Sequence, residues 1–170
     1  TPTVEFLSLY LKSLGKNVGI ISRGYGRKSK NTKIVTDGIN KPTSWDSCGD
    51  EAFLLANKLD NVPIIVGKSK YESGLKMTTE FNIDVIIIDD GFQHRSLHRD
   101  LDIVLVNSKD TSKDHRHFPL GALRENLSNL KRADLIIYTK SNIHNISDYL
   151  INTLNHIKIN KIKSSIDIGD

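Results

Sequence analysis

The chain has 170 residues and a mass of 19.1 kDa, and 24 basic against 20 acidic residues give it a formal charge of +4. With 38% hydrophobic and 26% charged residues, its composition is that of one globular domain and excludes a disordered or low-complexity chain. The longest aliphatic run, residues 85–88, is far shorter than the roughly 20 apolar residues that span a bilayer. The single cysteine, Cys48, excludes an internal disulfide and favours a reducing compartment.

The first fourteen residues predict an amphipathic helix. Apolar residues recur at helical spacing from Val4 to Leu14, with Thr1 in the N-cap position, Pro2 in the first turn and Gly15 beyond the end. Because the cap of this helix is the first residue of the chain, we expect further sequence upstream.

The rest of the chain alternates short aliphatic segments with amphipathic ones. The aliphatic segments predict strands at 18–21, 33–36, 62–66, 85–89, 103–106, 135–138 and 157–162. The amphipathic segments predict helices at 51–59, 71–81, 123–130 and 146–154. Short strands of β-branched residues between helices are typical of a parallel sheet covered on both faces. We therefore predict a doubly wound α/β fold with right-handed crossovers.

Polar side chains follow the predicted strands, at the sheet edge where open α/β folds bind ligands. Asp89 and Asp90 are the sharpest case, because four aliphatic residues deliver two adjacent carboxylates to one strand end. One interpretation is a Walker B site, in which a carboxylate holds Mg²⁺ and the metal bridges nucleotide phosphates. The other is a solvated turn that ends the strand, and the pair alone leaves the two interpretations open.

Three further features could position phosphates. Arg23 and Arg27 flank two glycines and Tyr25 at a strand end, which suits capture of phosphate oxygens, although an exposed basic loop also explains them. Asp50 opens a predicted helix, where a cap is a simpler explanation than a catalytic base. Thr1 could be the last residue of a Walker A motif, but by itself it is more simply an N-cap.

Two segments later in the chain add polar groups without the spacing of a metal cluster. Gln93 and His94 follow the acidic pair, and Arg124 and Glu125 open a predicted helix. His115 has another histidine two residues on but no cysteine nearby, so we interpret it as loop surface.

Six motifs follow one another in order: SRGYGR (22–27), GDE (49–51), VGK (66–68), DDGFQH (89–94), RDLDI (99–103) and PLGALRE (119–125). Together they resemble the tetraacyldisaccharide 4'-kinase family, the lipid A 4'-kinases. The resemblance implies a P-loop-kinase-like α/β domain over residues 1–155, lacking its first strand and P-loop, with residues 156–170 starting a truncated C-terminal region. It also implies a mostly parallel sheet with helices on both faces.

The activity implied by the resemblance is transfer of the ATP γ-phosphate to the 4'-hydroxyl of a tetraacyldisaccharide 1-phosphate, with Mg²⁺, to give lipid IVA in lipid A biosynthesis. Such enzymes act as peripheral proteins at the cytoplasmic face of the bacterial inner membrane. The +4 charge fits anionic headgroups and a phosphorylated substrate, but it is too small and dispersed to predict nucleic-acid binding. No protein partner is predicted.

The resemblance gives roles to ten residues. Thr1, Asp89, Asp90 and Glu125 match positions that organise the metal, and Asp50 matches an aspartate that supports activation of the acceptor hydroxyl. The residues expected to be catalytic are Asp50, Asp89, Asp90, Arg124 and Glu125. The residues that match positions lining the nucleotide cleft are Thr1, Arg23, Tyr25, Gln93 and His94.

The sequence departs from the family pattern in several places. Ala52 stands where family members have Pro, and Lys70 where they usually have Arg, which keeps the charge but loses the bidentate fork. The Gly-rich loop with its Lys, the N-terminal hydrophobic segment and the C-terminal histidine that partners the Asp50 position are not in the sequence. We therefore expect the 170-residue chain by itself to be inactive.

Two other classes of protein stay open as alternatives. A receiver-type signalling module also has paired aspartates that bind Mg²⁺ and a strand-end lysine, which here would be Lys140. Such a module carries its acidic pair at the first strand, whereas Asp89 follows at least three strand and helix units. A non-catalytic scaffold that binds nucleotide or lipid would keep the motifs without turnover.

Overall fold

The computed structural model describes residues 1–29, 31–115 and 127–165. The chain divides into two compact units, Thr1–Leu97 and His98–Asp170. Among the described residues, the structure contains no helix that is both long and apolar enough to cross a membrane.

The helices and strands lie close to the predicted positions. The helices are α1 (Pro2–Ser13), α2 (Asp50–Lys58), α3 (Lys70–Glu80) and α4 (Asp148–Leu154), with short 3₁₀ helices at Trp45–Ser47 and Leu127–Arg132. The strands are β1 (Val18–Ser22), β2 (Lys33–Thr36), β3 (Ile64–Val66), β4 (Val85–Ile88), β5 (Ile103–Asn107), β6 (Leu135–Thr139) and β7 (Asn160–Lys163). The main differences are a later start of β3 and β7, and a 3₁₀ rather than α-helical form for the described part of the predicted helix at 123–130.

The first unit is built on a four-stranded sheet in the order β2-β3-β1-β4. Strand β1 is central and runs parallel to both neighbours, with Ile20 opposite Ile64 of β3 and Ile87 of β4. The edge strand β2 is antiparallel to β3, with a register shift between Ile34 and Thr36. An antiparallel edge strand on a parallel sheet is common in mixed sheets of this class. The prediction of a mostly parallel sheet is confirmed, with β2 as the exception.

Helices cover both faces of this sheet. Successive side chains of each strand point to opposite faces, so both faces are apolar and pack against helices. Ile20 and Ile64 are fully buried in a core cluster with Val4 of α1 and Leu55 of α2. Their neighbours in sequence lie on the other face, where Ile21 packs with Met77 of α3. The prediction of helices on both faces is therefore confirmed for the first unit.

The second unit carries a three-stranded parallel sheet in the order β5-β6-β7. Leu150 and Leu154 of α4 are fully buried. His115 also lies inside this unit: its side chain is 7% exposed, its Nε2 is 3.2 Å from Oδ2 of Asp110, and its ring meets Tyr149 edge-on at 5.4 Å. The interpretation of His115 as loop surface is therefore wrong, because a neighbouring carboxylate and an aromatic ring give the imidazole a buried position.

Candidate active site

Three parallel strands of the first unit end at one edge of the sheet, and the chain turns away from each strand directly afterwards. The backbone N–H of Asp89 donates to the Ile21 carbonyl at 2.8 Å, and the N–H of Gly67 donates to the Ser22 carbonyl at 3.1 Å. The ladder of hydrogen bonds thus continues for one residue beyond β3 and β4. The acidic pair and the segment after Ser22, which begins with Arg23, consequently start from neighbouring points on the sheet.

The acidic pair forms a tight turn. Asp89 is half-buried and Asp90 is exposed. Asp90 has a φ of +54°, in the left-handed region that few residues other than glycine adopt. Burial raises the pKa of the Asp89 carboxyl above its usual range, and the negative charge of Glu51 raises it further. The site therefore concentrates negative charge that a cation would stabilise.

Thr1 joins this acidic group through its side chain. Its Oγ1 donates a hydrogen bond of 2.6 Å to Oε1 of Glu51. Thr1 occupies the N-cap position of α1, but its side chain makes no capping hydrogen bond. The capping interpretation therefore describes the backbone position of Thr1 and not the use of its hydroxyl.

Two glycines bring the basic loop against the start of α2. A Cβ on Gly49, which has a φ of +91°, would lie 2.5 Å from the Tyr25 carbonyl oxygen. A Cβ on Gly24, with a φ of +66°, would lie 2.6 Å from the Cys48 carbonyl oxygen. Both positions need glycine for their conformation and for the close approach of the two backbones. This contact sets the loop of Tyr25 beside the residue that precedes Asp50.

Lys70 approaches the acidic pair from α3. Its side chain is buried, and its Nζ donates to the backbone carbonyl of Asp89 at 2.8 Å. Burial lowers the pKa of Lys70 to about 8, although the charges of Asp89 and Asp90 oppose this shift. The charge of Arg23 lowers the Lys70 pKa further.

The structure thus brings together several of the predicted site residues. Thr1 is bonded to Glu51, which acts electrostatically on Asp89, and Lys70 interacts with both aspartates and with Arg23. Several predicted metal-binding and phosphate-binding positions of the first unit therefore lie in one cluster, in which the like charges of Glu51 and Asp89, and of Lys70 and Arg23, repel each other.

The remaining predicted residues are less tightly tied to this cluster. Asp50 is exposed on the first turn of α2, and its Oδ1 accepts the N–H of Glu51 at 2.9 Å. The Tyr25 side chain is 82% exposed. Gln93 is exposed and His94 half-buried in the loop after β4. The predicted Arg124 and Glu125 lie outside the described residues.

Two residues of the cluster were not among the predicted site residues. Glu51 stands beside Asp50 in the GDE motif, where a helix start explains an acidic residue without a ligand. The only feature of Lys70 in the sequence is that it stands where family members usually have arginine. A lysine in the first turn of a helix gives no local sign of burial, since lysine is rarely buried.

The donor set of this cluster fits Mg²⁺. The hydroxyl of Thr1 and the carboxylates of Glu51, Asp89 and Asp90 are hard oxygen ligands. Burial, and then the charge of Glu51, raise the pKa of the Asp89 carboxyl, so a cation would stabilise its charged form. Within the described ranges, no group of three or more His, Cys, Asp or Glu side chains could by itself hold a metal ion. Mg²⁺ usually takes only one or two carboxylates and completes its shell with phosphates and water.

A protein-family model described as Tetraacyldisaccharide-1-P 4'-kinase matches residues 1–167. The chain belongs to this family. It is 45% identical over 139 residues to the tetraacyldisaccharide 4'-kinase of Aquifex aeolicus, which covers 82% of the chain and 43% of that relative. It is 40% identical over 141 residues to the Geobacter sulfurreducens enzyme of the same name, covering 82% of the chain and 40% of the relative.

Among solved structures, the chain is similar to the "apo" form of LpxK from Aquifex aeolicus in complex with ATP. The TM-score is 0.81 at 39% identity, and the match covers 95% of this chain and 48% of that one. The predicted family and the P-loop-kinase-like α/β fold class are thereby confirmed. The chain spans less than half the length of these tetraacyldisaccharide 4'-kinases.

Proposed function

We propose that this chain is the interior part of a kinase that transfers the γ-phosphate of ATP to the 4'-hydroxyl of a tetraacyldisaccharide 1-phosphate and so forms lipid IVA in lipid A biosynthesis. Its family membership supports the reaction. The observation that carries the proposal is the convergence of Thr1, Glu51, Asp89 and Lys70 at the carboxyl edge of a parallel sheet. Phosphoryl transfer needs this kind of positioned charge more than it needs covalent chemistry.

The proposed nucleotide site lies at this cluster. Thr1, Asp89 and Asp90 would hold Mg²⁺ together with Glu125, and Glu51 is added to the set because it accepts the Thr1 hydroxyl. When bound, Mg²⁺ would neutralise charge on the phosphate oxygens. The other residues proposed to line the cleft are Arg23, Tyr25, Gln93, His94 and Arg124.

Asp50 is the proposed partner of the acceptor hydroxyl. Its carboxylate is exposed on the first turn of α2, where the helix dipole stabilises negative charge. Accepting a hydrogen bond from the 4'-hydroxyl would orient that oxygen for attack. Asp50 would take the hydroxyl proton as the new oxygen–phosphorus bond forms and the bond between the γ-phosphorus and the ADP oxygen breaks, releasing ADP. The close contact between Gly49 and the basic loop supports a fixed position for Asp50 relative to the basic side chains.

The wider organisation of the protein is also proposed from the family. Residues 1–155 would form the kinase domain and residues 156–170 would begin a C-terminal region, in a peripheral protein at the cytoplasmic face of the inner membrane. The chain spans less than half the length of its tetraacyldisaccharide 4'-kinase relatives. We therefore propose that the 170-residue chain alone has no kinase activity.

An activity assay on the protein of full family length that contains this chain tests the function. We expect ATP-dependent and Mg²⁺-dependent phosphorylation of tetraacyldisaccharide 1-phosphate, and loss of it in Asp89→Asn and in Asp90→Asn. Asp60→Asn is the control, because Asp60 is exposed and pairs with Lys41 away from the cluster. A full-length protein that does not catalyse this transfer would contradict the proposed function. Kinase activity of the 170-residue chain would contradict the proposal that this chain alone is inactive.

The same variants separate the alternatives. A rate unchanged by both aspartate substitutions would favour the non-catalytic scaffold. Labelling of a strand-end aspartate by acetyl phosphate would favour the receiver-type module.

A further inference from the structure

The buried ammonium of Lys70 donates a hydrogen bond to a backbone carbonyl of the acidic pair. Lys70 is 2% exposed, and a lysine so deeply buried needs strong compensation for its charge. Its Nζ donates to a backbone oxygen, the Asp89 carbonyl, at 2.8 Å. This carbonyl belongs to the peptide that joins the two aspartates of the acidic pair. Lys70 therefore contacts the backbone between the two carboxylates.

That peptide is held in a turn that needs support. The Asp89 N–H still donates to Ile21 in the sheet, so the strand geometry extends to this atom. The next residue, Asp90, has a φ of +54°, which is a strained conformation for a residue with a side chain. Such strain persists only where the surrounding structure fixes it. The hydrogen bond from Lys70 to the Asp89 carbonyl supplies a fixed point on this peptide.

The first turn of α3 gives Lys70 a rigid base. The Ser69 side chain caps the helix by accepting the N–H of Glu72 at 3.2 Å. The buried Ser73 hydroxyl donates to the Ser69 carbonyl at 2.8 Å. A Cβ on Gly67 would collide with the Ser73 hydroxyl, so the segment between β3 and α3 is packed without spare space. The Lys70 ammonium therefore acts from a backbone with little freedom.

We propose that Lys70 is a positioning residue, whose hydrogen bond to the Asp89 carbonyl fixes the peptide between Asp89 and Asp90 and thereby sets where the two carboxylates stand. It acts through this peptide and needs no contact with substrate. The kinetic consequence rests on the proposed kinase function, whereas the structural consequence does not.

The kinetic test uses the full-length protein with Lys70→Met, which keeps the length of the side chain and removes the donor. Outer partners of metal ligands typically change metal affinity or activity by about 10- to 100-fold when removed. We expect the Mg²⁺ concentration for half-maximal rate to rise about tenfold or more, with a lower kcat and little change in KM for the lipid. Lys70→Arg, which retains donors, should recover part of this loss.

Lys76→Met is the matched control, because Lys76 lies on the same helix and the same substitution of lysine by methionine is made there. A purely structural role of Lys70 would lower the thermal midpoint or the active fraction without moving the Mg²⁺ requirement. Equal Mg²⁺ requirements for Lys70→Met, Lys76→Met and the unsubstituted protein would overturn the inference. An inactive unsubstituted protein would instead contradict the proposed function.

A crystal structure of the Lys70→Met protein decides the inference independently of activity. We expect the peptide between Asp89 and Asp90 to rotate and Asp90 to leave the left-handed region. An unchanged peptide and an unchanged φ at Asp90 would overturn the proposal.

Discussion

The Thr1 hydroxyl donates a hydrogen bond of 2.6 Å to Oε1 of Glu51, which is fifty residues further along the chain. This bond ties the first turn of α1 to the first turn of α2. The hydroxyl makes no capping hydrogen bond within its own helix. A ligand that used the Thr1 hydroxyl would therefore compete only with its hydrogen bond to Glu51.

Replacing Thr1 with Val should therefore affect activity more than stability. Losing a capping side chain usually costs about 1 kcal/mol, and we expect Thr1→Val to cost less, because no cap is lost. In the full-length protein, kcat/KM for ATP should fall about 10- to 100-fold, and Thr1→Ser should retain most of it. Steady-state kinetics and thermal unfolding measure the two effects. Similar losses in Thr3→Val, on the same helix, would contradict this assignment.

Asp89→Asn should remove activity and stabilise the protein at neutral pH. The folded state raises the Asp89 pKa above its ordinary 3.8 through burial and the charge of Glu51. Between these two pKa values the folded state binds more protons than the unfolded state, so the free energy of unfolding falls as pH rises. Asparagine has no charge to bury, so the gain in the free energy of unfolding of Asp89→Asn over the unsubstituted protein should be largest above the raised pKa.

Thermal unfolding without nucleotide or metal tests this expectation. The midpoint of Asp89→Asn should exceed that of the unsubstituted protein at pH 7, and the difference should shrink as pH falls. The rate of phosphoryl transfer should drop at least about 100-fold. A lower midpoint at pH 7 would show that the Asp89 carboxylate is not under electrostatic strain.

Asp37 should have the opposite pH dependence. The backbone N–H groups of Asn40 and Ile39, and then the Asn40 side chain, hold its pKa at about 2 instead of 3.8. A lowered pKa stabilises the fold fully above the ordinary value and loses that effect as pH falls toward 2. The unsubstituted protein should thus be more stable than Asp37→Asn near pH 6, with the difference decreasing below about pH 4. Denaturant unfolding across this range measures it, and a difference independent of pH would refute the assignment.

Gly49→Ala should destabilise the fold and displace the basic loop. The new Cβ would meet the Tyr25 carbonyl, and the φ of +91° adds backbone strain of about 1–3 kcal/mol. Gly15→Ala is the control, since it has a similar φ of +76° but no atom within 4 Å of its Cβ. Both variants should lower the free energy of unfolding, but only Gly49→Ala should also impair the kinase rate. Equal rates would mean that the contact between the two loops does not position the site.

Much of the fold could be predicted because local sequence periodicity determines local structure. The aliphatic segments at Val18–Ser22 and Val85–Ile88 form strands, and the caps of α3 and α4 are serines placed directly before their helices. The same patterns do not specify pairing. The antiparallel direction of β2 and the assignment of β5, β6 and β7 to a separate sheet depend on contacts between distant residues.

Ordered motifs and short-range periodicity are sufficient to predict the family, the α/β class and the placement of charged residues such as Asp89 and Asp90 at strand ends. The groups that these charges contact are visible only in the folded chain. Lys70 is buried against the Asp89 carbonyl, and Thr1 bonds Glu51 instead of capping its helix. The physical reason is that burial, desolvation and hydrogen-bond partners arise from neighbours that are far apart in the chain and come together only when the sheet has formed.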